Sequence, residues 1–70
     1  MRYLVVIEQT STGYSAYSSD VPGCVATGST ADDAQREMAM AIAFHLESMR
    51  NEGLDAPVPH SSSLYVDIPA

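Results

Sequence analysis

Residues 14–30 read YSAYSSDVPGCVATGST, and this stretch decides how the chain folds. Its first five residues alternate between two faces, which is typical of a half-buried strand. Pro22 presets the φ of the first central position of a turn, and Gly23 accepts the positive φ of the second. Residues 21–24 are therefore predicted to form a type II turn, and residues 24–27 a short strand.

The residues after this turn predict one long helix. Gly28 ends the short strand, and the side-chain oxygen of Ser29 or Thr30 can cap the helix N-terminus. The helix is expected to run to about Glu52, because Gly53 provides a C-terminal stop. Apolar side chains recur at helical spacing and form one stripe. Its members are Ala34, Met38, Ala41, Ile42, His45, Leu46 and Met49.

Alternating residues also predict strands on either side of this region. Residues 3–8 predict a first strand, and residues 9–13 form a polar hairpin loop that leads into the second. After a loop rich in proline and serine, residues 64–68 alternate again and predict a fourth strand. The predicted order of elements is βββαβ, within a single domain that spans residues 1–70.

This order of elements predicts an α+β fold. A three-stranded meander followed by a right-handed crossover through the helix returns the fourth strand beside the first. The expected sheet is therefore mixed, with strand order 3-2-1-4 and one helix on one face. The opposite face carries no helix, so it is expected to face solvent or another molecule.

Composition limits the classes of function. The chain has nine acidic residues, three arginines and no lysine, giving a net charge of −6. This charge repels phosphate backbones, so direct nucleic-acid binding is not expected. The apolar runs are too short for a membrane span or a signal peptide, and a cytoplasmic protein is predicted. Because a chain of 70 residues has a small core, a homo-oligomer is expected as well.

The turn and helix residues follow an extended pattern. It consists of Tyr14-x-Ala16-x-Ser18-x-Asp20-x-Pro22-Gly23-Cys24-x-Ala26-x-Gly28-x-Thr30, of Ala34, of Ala41-Ile42-x-x-His45-Leu46 and of Pro57-x-Pro59. This pattern resembles the HicB family of bacterial antitoxins, and the resemblance covers essentially the whole chain.

The resemblance implies a partial, degenerate ribonuclease H-like fold and a function by binding. The implied partner is a small basic HicA-like toxin that cleaves mRNA with a histidine, and the antitoxin covers the active site of this toxin. Many such antitoxins continue into a C-terminal DNA-binding domain. This chain stops at Ala70, so operator binding by this chain alone is not expected.

Five residues are predicted to contact the partner, from their expected exposure and from the sign of their charge. Asp20 and Val21 lie in the bend, and Asp32, Asp33 and Glu37 lie early in the helix. For Asp20 a second interpretation stays open, in which its carboxylate accepts backbone N–H groups of the turn.

Catalytic and metal-binding roles are not expected, and no cofactor is predicted. Cys24 is the only cysteine and has no adjacent group to activate it, so it is interpreted as a buried small apolar residue. His45 has no second ligand at helical spacing and is interpreted as a core-edge histidine bonded to a backbone group. A nuclease cluster of Glu8, Asp33, Glu37 and Asp67 is conceivable, but the centre of the first strand carries no acid.

Two alternatives remain open. Met40 and Phe44 lie four residues apart, off the main stripe, and either extend the core or form an oligomer interface. The whole chain is alternatively a stand-alone assembly domain without a toxin partner. Such a domain would self-associate through its uncovered sheet face or an edge strand.

Overall fold

A computed structural model describes residues 1–69. Within this range the elements follow the order βββα, with three short strands and one long helix. They are β1 (Val6–Gln9), β2 (Tyr14–Tyr17), β3 (Val25–Gly28) and α1 (Ala31–Asn51). The sheet order is β1-β2-β3 with both pairs antiparallel. Ala16 of β2 lies between Ile7 of β1 and Ala26 of β3, which fixes the register.

The predicted turn between β2 and β3 is confirmed. The Cys24 N–H donates to the carbonyl oxygen of Val21 at 3.3 Å. Gly23 has a φ of +88°, which is the conformation that the second central position of a type II turn requires. The turn delivers the chain from β2 into β3, and β3 then leads directly into the helix.

The helix N-terminus is fixed by a cap and by a close approach. The hydroxyl of Thr30 accepts a hydrogen bond from the Asp33 N–H at 3.1 Å, so Thr30 is the N-cap. Gly28, the last residue of β3, lies against the first turn of the helix. A Cβ at this position would lie 2.5 Å from the nitrogen of Ala34, so only glycine fits here without a shift.

The helix ends at Asn51, one residue before the predicted end at about Glu52, and Gly53 forms the predicted stop. Gly53 has a φ of +77°, and its N–H donates to the carbonyl of Arg50 at 3.0 Å. The Leu54 N–H donates to the carbonyl of Met49 at 2.8 Å. This pair of bonds is a Schellman motif, which satisfies carbonyls that the last turn would otherwise leave open.

The core lies between the helix and one face of the sheet. The buried apolar residues come from β2, the turn and the predicted helix stripe, and Met38 is the largest side chain that is fully buried. They are Ala16, Val21, Cys24, Ala34, Met38 and Ile42. Tyr3, Val5 and Ile7 pack against this cluster, so these alternate residues form the inner face of the first strand.

Residues 64–68 form no strand within the part of the chain that the structure describes, so of the predicted sheet order 3-2-1-4 only 3-2-1 is observed. No backbone hydrogen bond within residues 1–69 joins this segment to β1. Its apolar side chains lie in solvent, as Leu64, Tyr65, Val66 and Ile68 show. Alternation favours extended backbone, but a strand also needs a ladder partner, and a single chain does not provide one here.

Candidate partner-binding surface

The five predicted contact residues fall into two separate groups. Asp20 and Val21 are buried in the bend, with 1% and 0% exposure. Asp32 and Glu37 are exposed in the first two turns of α1, and Asp33 between them is half-buried. The structure therefore brings the three helix acids together at the surface and places the two bend residues in the interior. The predicted partner contact of Asp20 and Val21 stays a prediction, and burial means that their loop would have to open.

The Asp20 carboxylate accepts three backbone hydrogen bonds. One oxygen accepts from the Leu4 N–H at 2.9 Å, and the other accepts from the N–H groups of His60 at 3.0 Å and Ser61 at 2.9 Å. These donors, the Leu4 and His60 N–H groups foremost, lower the pKa of Asp20 from 3.8 to about 2. The Asp20 carboxylate thus accepts backbone N–H groups, as the second interpretation held, but the donors lie outside the turn, 16, 40 and 41 positions away in sequence.

Further bonds reinforce the same junction. The Ser19 and Ser61 hydroxyls share a hydrogen bond of 2.7 Å, and the Tyr3 hydroxyl donates to the carbonyl of Pro57 at 2.7 Å. We call Asp20 with its three backbone donors the Asp20 anchor. Through it the bend, the N-terminal segment and the loop before residue 62 are fixed relative to one another. The anchor was missed at the sequence level because backbone N–H groups carry no residue identity.

The three acids at the start of the helix, Asp32, Asp33 and Glu37, present negative charge to solvent. The Asp33 carboxylate accepts hydrogen bonds from the Ser29 hydroxyl at 3.0 Å and from the Arg36 guanidinium. These bonds, that of Ser29 first, lower the pKa of Asp33. Asp32 and Glu37 remain exposed carboxylates on the same two turns. The N-terminal half of the helix therefore presents negative charge to solvent, where the helix dipole also favours it.

An exposed apolar patch continues this acidic surface. Met40 is 59% exposed and Phe44 is 75% exposed, so they do not extend the core. Residues 33, 37, 40 and 44 follow spacings of four, three and four, which places them along one side of the helix. We call Asp33, Glu37, Met40 and Phe44 the outer helix stripe. Acidic and apolar groups adjoining on one exposed face suit contact with a basic protein surface.

The remaining candidates for chemistry lie apart from one another. Burial raises the pKa of the Cys24 thiol, whose Sγ lies 4.0 Å from the carbonyl oxygen of Ala41. His45 is half-buried at the core edge, and its ring forms no hydrogen bond to any residue in 1–69, so the predicted backbone bond is absent. Among the described residues, no three His, Cys, Asp or Glu side chains stand close enough to hold a metal ion. Within the same range, no helix is long and apolar enough to cross a membrane.

Comparison with known proteins identifies the family of the chain. A family profile described as "HicB_like antitoxin of bacterial toxin-antitoxin system" matches residues 3–69. The chain belongs to the HicB-like antitoxin family. The resemblance drawn from the turn and helix residues is therefore confirmed over nearly the whole of this HicB-like chain.

Two similar proteins were found for the HicB-like chain. A solved structure named "HicA3 and HicB3 toxin-antitoxin complex" contains a chain with 33% sequence identity and a TM-score of 0.71, covering 86% of this chain and 70% of that chain. A protein of Haemophilus phage HP1 (strain HP1c1), described as "Uncharacterized 14.9 kDa protein in rep-hol intergenic region", is 33% identical over 69 residues. The match covers 99% of this chain but 52% of the phage protein, so the chain spans about half the length of that relative.

Proposed function

We propose that this HicB-like chain is an antitoxin that binds a small basic HicA-like toxin and covers its RNA-cleaving site. The observation that carries the proposal is the likeness to a chain of a HicA3–HicB3 complex, at 33% identity over 86% of this chain. The net charge of −6 supports it, because an acidic protein attracts a basic partner and accelerates their encounter.

The outer helix stripe, together with Asp32, is the surface proposed for this contact. Its carboxylates would meet Lys and Arg side chains of the toxin, and Met40 and Phe44 would supply the apolar centre of the interface. In this proposal Asp20 and Val21 act from beneath, by holding the bend and the adjoining loop in place. The proposed contact is thus partly charge-dependent and weakens at high salt.

Neutralisation in this proposal is by binding, without catalysis or a cofactor, and the chain works in the cytoplasm without direct nucleic-acid contact. Burial and a raised pKa make Cys24 a poor nucleophile, which supports a non-enzymatic role. The partial ribonuclease H-like fold with sheet order 3-2-1-4 belongs to the same proposal. It requires residues 64–68 to join the outer edge of β1 in the assembled protein.

The function is tested by inhibition of RNA cleavage. A basic HicA-like toxin is titrated with the wild-type chain, and the remaining cleavage of labelled RNA is measured. We expect full inhibition at equimolar concentration, and no inhibition at micromolar concentration would refute the antitoxin function.

The surface is tested in the same assay with a matched pair of charge reversals. Glu37→Lys lies on the outer helix stripe, whereas Asp55→Lys makes the same change of charge at an exposed position beyond the helix. We expect Glu37→Lys to weaken inhibition about tenfold or more at low salt, and Asp55→Lys to weaken it much less. Equal effects of the two variants would leave the function standing and refute this surface.

A second candidate function is a stand-alone assembly domain that self-associates without a toxin. The exposed apolar side chains within residues 64–68 favour it. A neighbouring gene that encodes a short basic chain with a histidine in a glycine-rich setting would support the antitoxin function, and the lack of one would support the assembly domain.

A further inference from the structure

Residues 64–68 form an amphipathic segment that the described body leaves unpaired. Leu64, Val66 and Ile68 recur at every second position, so they share one face of an extended segment, and Asp67 lies on the other face. All three apolar side chains are strongly exposed. We call residues 64–68 the C-terminal arm. An extended segment with one apolar face has the pattern of a strand, but here no sheet pairs with it.

A groove of matching character lies between β1 and the helix. Its walls are the inner face of the first strand and the adjoining side of α1, and its volume is about 540 Å³. It is lined by Tyr3, Val5, Ile7, Gln35, Ala39 and Ile42. β1 pairs with β2 on one side only, so its other edge offers free backbone donors and acceptors beside this groove. We call this site the β1–α1 groove.

The arm of the same chain does not fill this groove. Ser63, Leu64 and Tyr65 lie across an open cavity of about 330 Å³ from residues 4–7. The Asp20 anchor holds the Ser61 N–H at the same carboxylate as the Leu4 N–H, so only residues 62 and 63 separate the fixed loop from the arm. This short connection lets the arm leave the body beside β1, with its apolar face still in solvent.

The exposed surface of the chain is larger than expected for its size. The accessible surface is 5512 Å², whereas a compact monomer of 7.5 kDa exposes about 4,200 Å². The radius of gyration is 13.9 Å, against about 11 Å for a compact chain of this length. The excess of about 1,300 Å² exceeds the roughly 800 Å² that each partner buries in a stable protein interface.

We infer that the chain forms a strand-exchanged dimer, in which the C-terminal arm of each copy occupies the β1–α1 groove of the other. The arm adds a strand at the free edge of β1 and turns Leu64, Val66 and Ile68 towards the groove, which completes the sheet order 3-2-1-4 in each copy. The groove lining is uncharged and Asp67 faces outwards, so no charge is buried. Reciprocal exchange fills both grooves and uses both arms, so the assembly is complete with two copies.

The first test measures mass by sedimentation or light scattering, without any toxin, so its result is independent of the proposed function. We expect the wild-type chain at micromolar concentration to show twice the monomer mass of 7.5 kDa. The double variant Val66→Asp, Ile68→Asp changes only exposed side chains, so it should fold and remain a monomer. Circular dichroism confirms folding.

Phe44→Asp is the matched control, since Phe44 is as exposed as Ile68 but lies on the helix. We expect this variant to stay dimeric. A monomeric wild-type chain overturns the inference, and so does a dimer that Phe44→Asp dissociates and the arm variant does not.

The second test distinguishes exchange from docking of the arm within its own chain. In a Cys24→Ala background, one preparation carries Ala39→Cys in the groove and another carries Val66→Cys in the arm. On mixing and mild oxidation we expect a disulfide-linked pair at twice 7.5 kDa, well above the yield from either preparation alone. Exchange is refuted if no linked pair forms on mixing, while a chain that carries both cysteines forms an intramolecular disulfide and remains at 7.5 kDa.

Discussion

The loop that ends at Ser61 and the C-terminal arm that begins at Leu64 are neighbours in sequence but opposites in structure. The loop is held by the carboxylate of a buried aspartate, through hydrogen bonds of 2.9 to 3.0 Å. The arm contains more apolar residues, yet its side chains lie in solvent. The comparison teaches that apolar composition alone does not bring a segment into the body of a small domain. A specific polar partner fixes the loop, and no comparable partner within residues 1–69 fixes the arm.

The largest contrast is expected between two isoleucines. Ile42 is 9% exposed and Ile68 is 76% exposed. Ile42→Ala removes buried methylene groups and leaves a cavity, so it should lower the free energy of unfolding by about 3 kcal/mol. Ile68→Ala should change it by less than about 0.5 kcal/mol when the chain is dilute enough to be monomeric. Urea unfolding of both variants measures this difference, and comparable losses would show that the arm is packed after all.

The next contrast compares two aspartates, Asp20, which holds the loop, and Asp67, which lies in the arm. Asp20→Asn keeps the size of the side chain but removes the negative charge that accepts three backbone hydrogen bonds. The melting temperature should fall by roughly 10 °C. Hydrogen bonds to a charged acceptor are stronger than those to a neutral one, and the backbone donors also lose one of the two oxygens that accept from them. Asp67→Asn in the arm is the control and should leave melting unchanged. Amide exchange at Leu4 and Ser61 should accelerate only in Asp20→Asn.

The pH dependence of stability sharpens the same comparison. The pKa of Asp20 falls from 3.8 to about 2 on folding, so the folded state favours the ionised carboxylate. Its stabilisation is complete above pH 3.8 and is lost as the pH falls through about 2. Thermal melts between pH 5 and pH 2 should therefore show a steeper loss for the wild-type chain than for Asp20→Asn. Parallel curves would mean that the anchor bonds do not form in solution.

The smallest expected effect concerns two hydroxyl residues. Thr30 caps the helix through its bond to the Asp33 N–H, so Thr30→Ala should cost about 1 kcal/mol. Ser62 lies exposed between the anchored loop and the arm, and Ser62→Ala should leave the free energy of unfolding unchanged within error. Chemical denaturation under monomeric conditions measures both. If Ser62→Ala costs as much as Thr30→Ala, the connection between loop and arm is more ordered than the structure indicates.

Local rules predicted the local features of the fold. Pro22 and Gly23 predicted the turn, Ser29 or Thr30 predicted the helix start and Gly53 predicted its end, because each acts through the backbone conformation of its own neighbourhood. The apolar spacing along the helix likewise identified the core stripe. The fourth strand was not found in this structure, since alternation at 64–68 describes the segment and not the edge that would pair with it.

The candidate surface was predictable in part. Asp32 and Glu37 were expected at the surface and lie there, because charged residues on the first turns of an amphipathic helix point away from its apolar stripe. Asp20 and Val21 were expected to be exposed because a bend with a carboxylate usually faces solvent. The loop at residues 57–61 closes over this bend, and only the tertiary structure brings the two together.

The position of the anchor's donors also bears on synthesis at the ribosome. Asp20 is made early, whereas His60 and Ser61, which donate two of its three hydrogen bonds, are made some 40 residues later. The carboxylate therefore stays hydrated until residues 60 and 61 have left the exit tunnel. A nascent chain stalled before residue 60 would lack two of the three hydrogen bonds that fix the bend, the N-terminal segment and the loop relative to one another.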